Sequence, residues 1–261
     1  MNHRLGRLEQ IFMTRNTFLL LGIFFVSTEA AAVKVEIPKL VFEYGIVSDS
    51  KCKRLATDLT ARGSTREDVM KEAISLTPIL QGQWDTEGAE LLSALISIVG
   101  REYSRRELTV YTSVCGYGSR SSPLVVSIRS HMGRIKNMRS PISANIPLVL
   151  HEFTHKYLVE SFDYSKSSIL KEFSDSPALF KNHIHLMALI KASMVRAGKD
   201  DMIEPFVQSL KGRAYINAWK VGTLNKYYSR LIKEVKSLSG SNEKYWFFDP
   251  IENSENIGQP R

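Results

Sequence analysis

IPLVLHEFTHKYLVES, residues 146–161, is apolar on nearly every side and carries two histidines and a glutamate in the run His151-Glu152-Phe153-Thr154-His155. Pro147 suits the first position of a helix, where its missing N–H has no partner to lose. The apolar residues then continue for about four turns. Leu148, His151, His155, Leu158 and Val159 share one side of that helix, and Ile146, Leu150, Phe153 and Tyr157 cover the opposite side. Away from the motif only Lys156 and, in the last turn, Glu160 are charged, so the helix is predicted to be buried. Residues four apart on a helix lie one above the other, which lets His151 and His155 offer two imidazole nitrogens to one tetrahedral metal. Glu152 lies about 100° around the helix, where its carboxylate reaches a water held at that metal. Left without partners, three buried polar groups carry a heavy desolvation cost. A metal ion satisfies them with the fewest assumptions; a hydrogen-bonded structural cluster is the alternative.

Two ligands do not make a site. Beyond residue 32 the histidines are His131, His151, His155, His183 and His185. The stretch LFKNHIHLMALIKASMVRAG, residues 179–198, is helical by period and ends at Gly198. His183 falls in the middle of its apolar face, in line with Met187, Ile190, Met194 and Ala197. His185 points the other way, alongside Lys181 and Arg196, and is expected at the surface, with the orienting of a neighbouring ligand as its alternative role. His183 is therefore the first candidate for the third metal ligand. Glu172 in ILKEFSDS is the second, with Glu160 and Cys115 behind it.

The chain begins with a segment that does not belong to the fold. FLLLGIFFV, residues 18–26, is short for a bilayer span and leads into STEAAA. Ala30 and Ala32 match the small-x-small cleavage rule, so residues 1–32 are read as a signal peptide, whose true start is Met1 or Met13. A retained anchor is the alternative. Removal leaves about 229 of the 261 residues, enough for one well-packed domain or two joined lobes. The formal charge is +8, and the basic residues are scattered rather than grouped with aromatics. That pattern argues for solubility and against nucleic acid as a partner. No other stretch is long and apolar enough to span a membrane. Cys52 and Cys115 both follow the leader, and in an exported chain a disulfide between them is the preferred reading.

The organisation between leader and motif mixes periods. VKVEI and LVFEYGI read as extended, SDSKCKRLATDLTARG as a helix, and Ser64 with Glu67 as the capping box of the next one. Pro78 opens a further helical stretch, interrupted around GQWDTEG and running to Val99. ELTVYTSV and PLVVSIRS read as strands joined by the Gly/Ser turn CGYGSRSS. MIEPFVQSLKGRAYINAWKVG and TLNKYYSRLIKEVKSL are helical, and the tail is loose apart from a docking point at YWFF, residues 245–248. The boundaries are an N-terminal α/β lobe over 33–142, a helical lobe with the metal site over 143–238, and the tail 239–261.

Strands and helices, a sheet, then a buried H-E-x-x-H helix: this order resembles the zincin metallopeptidases. The resemblance rests on the motif, its helix and the strands before it, about a third of the chain. It implies an α+β fold, with a small twisted sheet packed on the motif helix and a mostly helical C-terminal half. It also implies an edge strand that holds extended substrate, for which PLVVSIRS is the candidate; an interior strand of an α+β protein is the equal alternative for the same stretch. The metzincin extension is missing, since Leu158 and Ser161 stand where that branch has Gly and His. The gluzincin pattern fits in part, with Glu172 as ligand and Asp175 three residues on. The implied function is that of an exported, secreted or periplasmic, zinc-dependent peptidase acting on peptide or protein. One Zn2+ would sit on His151, His155 and His183, with Glu152 as general base. Arg213, Tyr215, Tyr227 and Tyr228 are candidates for stabilising the oxyanion. The alternatives are a non-catalytic peptide- or partner-binding domain and a hydrolase of some other amide. Peptide deformylases pair an upstream Cys with H-E-x-x-H, which gives Cys115 its place among the alternatives.

Overall fold

A computed structural model describes residues 36–46, 49, 52, 64–115, 118–133 and 141–239. The signal-peptide reading, the body of SDSKCKRLATDLTARG and the tail beyond Ser239 lie outside the described residues. The fold is α+β and mostly helical, with a small mixed sheet. Strand β1 (Lys39–Tyr44) is followed by helix α1 (Arg66–Gln83), a π-helical turn (Trp84–Gly88) and helix α2 (Ala89–Val99). Strands β2 (Glu107–Ser113), β3 (Arg120–Ser121) and β4 (Leu124–Ser127) come next, then the motif helix α3 (Ile146–Ser161). The C-terminal half consists of α4 (Ser168–Glu172), α5 (Ala178–Arg196), α6 (Ile203–Ser209), α7 (Arg213–Thr223) and α8 (Asn225–Leu238).

Local chemistry explains most of the boundaries and corrects several expectations. The capping box of α1 is Thr65 with Asp68, one residue along from Ser64 and Glu67: Asp68 N–H donates to Thr65 Oγ1 and Thr65 N–H to Asp68 Oδ2, each at 3.1 Å. Pro78 does not open a new helix but sits inside α1. The interruption at GQWDTEG is real: it is the π turn, where one extra residue per turn lets Trp84 fold into the core over Gly88.

The sheet order is β1-β2-β4-β3. β1 and β2 are parallel, β2 and β4 are parallel, and β3 is antiparallel to β4. ELTVYTSV and PLVVSIRS are therefore not partners across a turn; the short β3 lies between them in sequence and forms the hairpin with β4. Nor is PLVVSIRS the edge, because β4 is flanked by β2 and β3. Its side chains Leu124, Val125 and Val126 are all buried, and such a continuous apolar run belongs to a strand covered on both faces. At the β1 edge, Gln81 of α1 uses its amide in place of another strand, accepting from Phe42 N–H at 2.8 Å and donating to Leu40 C=O at 3.1 Å.

The motif helix lies against β3 and β4. It is buried over most of its surface, as its composition predicts, with Ile146, Val149, Leu150, Phe153, Tyr157 and Leu158 in the core and Val159 exposed. α5 is buried along its middle, with Leu179 and Val195 exposed at its ends, and packs on α2, α3, α7 and α8. Cys52 and Cys115 form a disulfide with a Cα–Cα distance of 5.7 Å, beside buried Asp49, which accepts from Ser113 Oγ, Val114 N–H and Cys115 N–H.

A close helix–helix approach falls at Gly222 of α7, where an added Cβ would come within 2.6 Å of the Ile184 carbonyl on α5. Alanine would gain about 1 kcal/mol of helix propensity. Forcing two backbones apart costs about 1–3 kcal/mol, so the clash wins. Gly222→Ala is expected to lower the melting temperature by several degrees. A rise, as propensity alone predicts, would show that the contact has room to spare.

Candidate metal centre

His151, Glu152 and His155 come from α3, and His183 comes from α5, which packs across it. One nitrogen from each histidine lies within 4.8 Å of the others. The ring centroids are 4.8 Å apart for His151–His155, 5.3 Å for His151–His183 and 4.4 Å for His155–His183. The closest nitrogens are His155 Nε2 and His183 Nε2, 2.9 Å apart. Two imidazoles on a tetrahedral zinc hold their nitrogens about 3.3 Å apart for bonds of about 2.0–2.1 Å. Side-chain adjustments of an ångström or so convert one arrangement into the other.

The donor set suits a cation. His183 Nδ1 lies 2.6 Å from the Leu179 carbonyl one turn back on its own helix, so Nδ1–H donates there and Nε2 turns its lone pair towards the cluster. Orientation of a ligating histidine through its second nitrogen is common at metal sites. His151 Nδ1 is buried with no hydrogen-bond partner among the described residues. Burial, then the neighbouring His183, holds the His151 imidazole down to about 3, and burial brings His183 down to about 4. His155 is pushed well below the usual range by burial and then by His151 and His183. All three rings are therefore neutral at pH 7, the form that binds metal. Glu152 is buried and hydrogen-bonded to nothing among the described residues, and burial pushes its carboxyl up to about 8. Without a cation the cluster carries almost no charge; a divalent ion would supply the positive field that a buried carboxylate lacks.

The other expected residues divide clearly. Glu172 is on the surface, paired with Arg230. Glu160 accepts from Tyr103 Oη and Ser104 Oγ, each at 3.2 Å, and pairs with Lys156 at 3.1 Å. Cys115 is committed to its disulfide. Of the four oxyanion candidates only Tyr215 meets the histidines, its ring centroid 4.5 Å from that of His183 and 6.3 Å from that of His151. Tyr227 packs on Phe173, Tyr228 lies beneath Lys191, and Arg213 is exposed. Phe206 of α6, which sequence reasoning did not single out, stands 6.2 Å from His151, ring to ring, with Trp219 behind it at 5.6 Å.

His185 is not on the surface. It is fully buried and donates from Nε2 to Glu234 of α8 at 2.8 Å. Burial outweighs the carboxylate's pull and keeps the imidazole neutral. Burial also works against the Glu234 charge, but hydrogen bonds from His185, Ser167, Ser168 and Ile169 hold that carboxyl down to about 2. Glu234 was missed as well, although its place on the buried face of α8 with Leu231 and Val235 was a readable sign that it needs a partner.

Comparison with protein families, curated proteins and solved structures finds no match to this chain.

Proposed function

We propose that this chain is a zinc-dependent peptidase of zincin type, with His151, His155 and His183 as the metal ligands and Glu152 as general base. One observation carries the reading: three neutral imidazoles on two packed helices converge within 4.8 Å, with an unpaired buried carboxylate next to the first of them. A purely structural site has no use for that carboxylate. Zinc, when bound at such a site, lowers the pKa of water and polarises a carbonyl. Glu152 takes the proton of the attacking water and returns it to the leaving amine. Tyr215 O–H, beside His183, donates to the oxygen that gains charge as the peptide carbonyl becomes tetrahedral. Phe206 and Trp219 form an apolar wall on the His151 side.

The motif helix lying on the sheet supports a zincin-like arrangement, and the disulfide supports an exported chain, since such bonds persist in oxidising compartments. Among the described residues no helix is long and apolar enough to cross a membrane. His183, 28 residues beyond His155 on a separate buried helix, lies outside the metzincin spacing and is a histidine where the gluzincin pattern has a glutamate.

Digestion of a peptide library is the test. The purified protein should cleave it, lose activity on chelation and regain it with added zinc. Cleavage that survives complete metal removal contradicts the assignment. Zinc binding without any cleavage would favour the peptide-binding alternative.

A further inference from the structure

We infer that Glu234 is a positioning residue for the metal centre, acting through His185 from the far side of α5; the inference rests on the zinc reading above. His183 and His185 are two residues apart, so they leave the helix about 200° apart around its axis. His183 faces the motif histidines. His185 faces a pocket closed by Phe162 and Tyr164, with ring centroids at 4.9 and 6.3 Å, and by the Glu234 carboxylate.

That carboxylate is saturated with donors. Its Oε2 accepts from His185 Nε2 at 2.8 Å and from Ser167 Oγ at 2.7 Å. Its Oε1 accepts from Ser168 N–H at 2.6 Å, Ser168 Oγ at 2.7 Å and Ile169 N–H at 3.2 Å. One side chain of α8 therefore joins the first turn of α4 to the middle of α5. The same region is tied to the end of the motif helix: Phe162, the residue after α3, bridges to Ser239, the residue after α8. His185 is thus held against a frame continuous with the helix that carries His151 and His155.

Geometry makes this matter for the metal. A ligating nitrogen stands about 6 Å from its helix axis, so a rotation of α5 by about 20° would carry His183 Nε2 about 2 Å sideways. A zinc site tolerates departures of only about 0.2 Å in its bond lengths. Apolar burial is non-directional and sets that angle only through side-chain packing. A buried carboxylate with five directed hydrogen bonds fixes it directly.

Glu234→Gln keeps the volume and replaces one acceptor oxygen with an NH2 that must face existing donors. Zinc affinity, measured by chelator competition well below each melting temperature, is expected to fall roughly tenfold or more in this variant. Glu234→Asp keeps the charge but draws it back by one methylene, and the same fall is expected if the glutamine variant does not fold. Ser113→Ala, which removes a buried hydrogen bond to Asp49 on the sheet, is the control for lost stability; its melting temperature should fall while its zinc affinity stays within about twofold of the parent. Parental zinc affinity in the folded Glu234 variants overturns the inference while leaving the zinc reading intact. A parent protein that binds no zinc overturns both.

Discussion

Glu152→Gln is expected to abolish peptide hydrolysis, with a fall of about 10²–10⁴-fold, while zinc content and melting temperature stay near those of the parent. Glutamine matches glutamate in shape but cannot accept the proton of the attacking water. The small effect on the fold follows from burial, which pushes this carboxyl up to about 8. In the metal-free protein at pH 7 the group is largely protonated, so an uncharged amide removes little that the fold relies on. Hydrolysis and thermal melts on the same preparations check both halves. A variant as active as the parent would falsify the assignment of the base.

The second large effect separates the two candidates for the third ligand. His183→Ala should reduce zinc affinity by more than the roughly 10–100-fold that loss of an outer-shell partner costs, because two imidazoles alone cannot close a tetrahedral site. Glu172→Ala should leave it unchanged. Glu172 is partly exposed and pairs with Arg230, and solvent-exposed ion pairs of this kind contribute little to stability. Competition titrations on both variants decide the matter. A large loss in Glu172→Ala with none in His183→Ala would return the chain to the gluzincin pattern.

The motif helix was legible because its information is local. Sixteen residues, apolar all round, announce a buried helix whatever lies beyond it, and the i, i+4 histidines follow from its pitch. His183 was legible for the same reason, from its place on the apolar face of α5. His185 was misread because the wheel put it beside Lys181 and Arg196, and a wheel cannot show that another helix brings Glu234, 49 residues away, to meet it. PLVVSIRS was misplaced despite a usable signal, since Leu124, Val125 and Val126 in succession mark an interior strand. Pro78 misled because proline usually opens or breaks a helix, whereas packing carries α1 through it. Tyr215 could only be one of four candidates until the packing of α7 on α5 set its ring beside His183. In each case the missing information was a contact between elements distant in sequence.

The central claim is that three imidazoles hold one zinc. X-ray absorption at the zinc edge, on protein purified without added metal and quantified for zinc, tests it most directly. The account predicts about one zinc per chain, bound by three imidazole nitrogens at about 2.0–2.1 Å with one further light ligand, and loss of this signal in His151→Ala, His155→Ala and His183→Ala. A folded parent protein without stoichiometric zinc, or a zinc signal that survives all three substitutions, would contradict it.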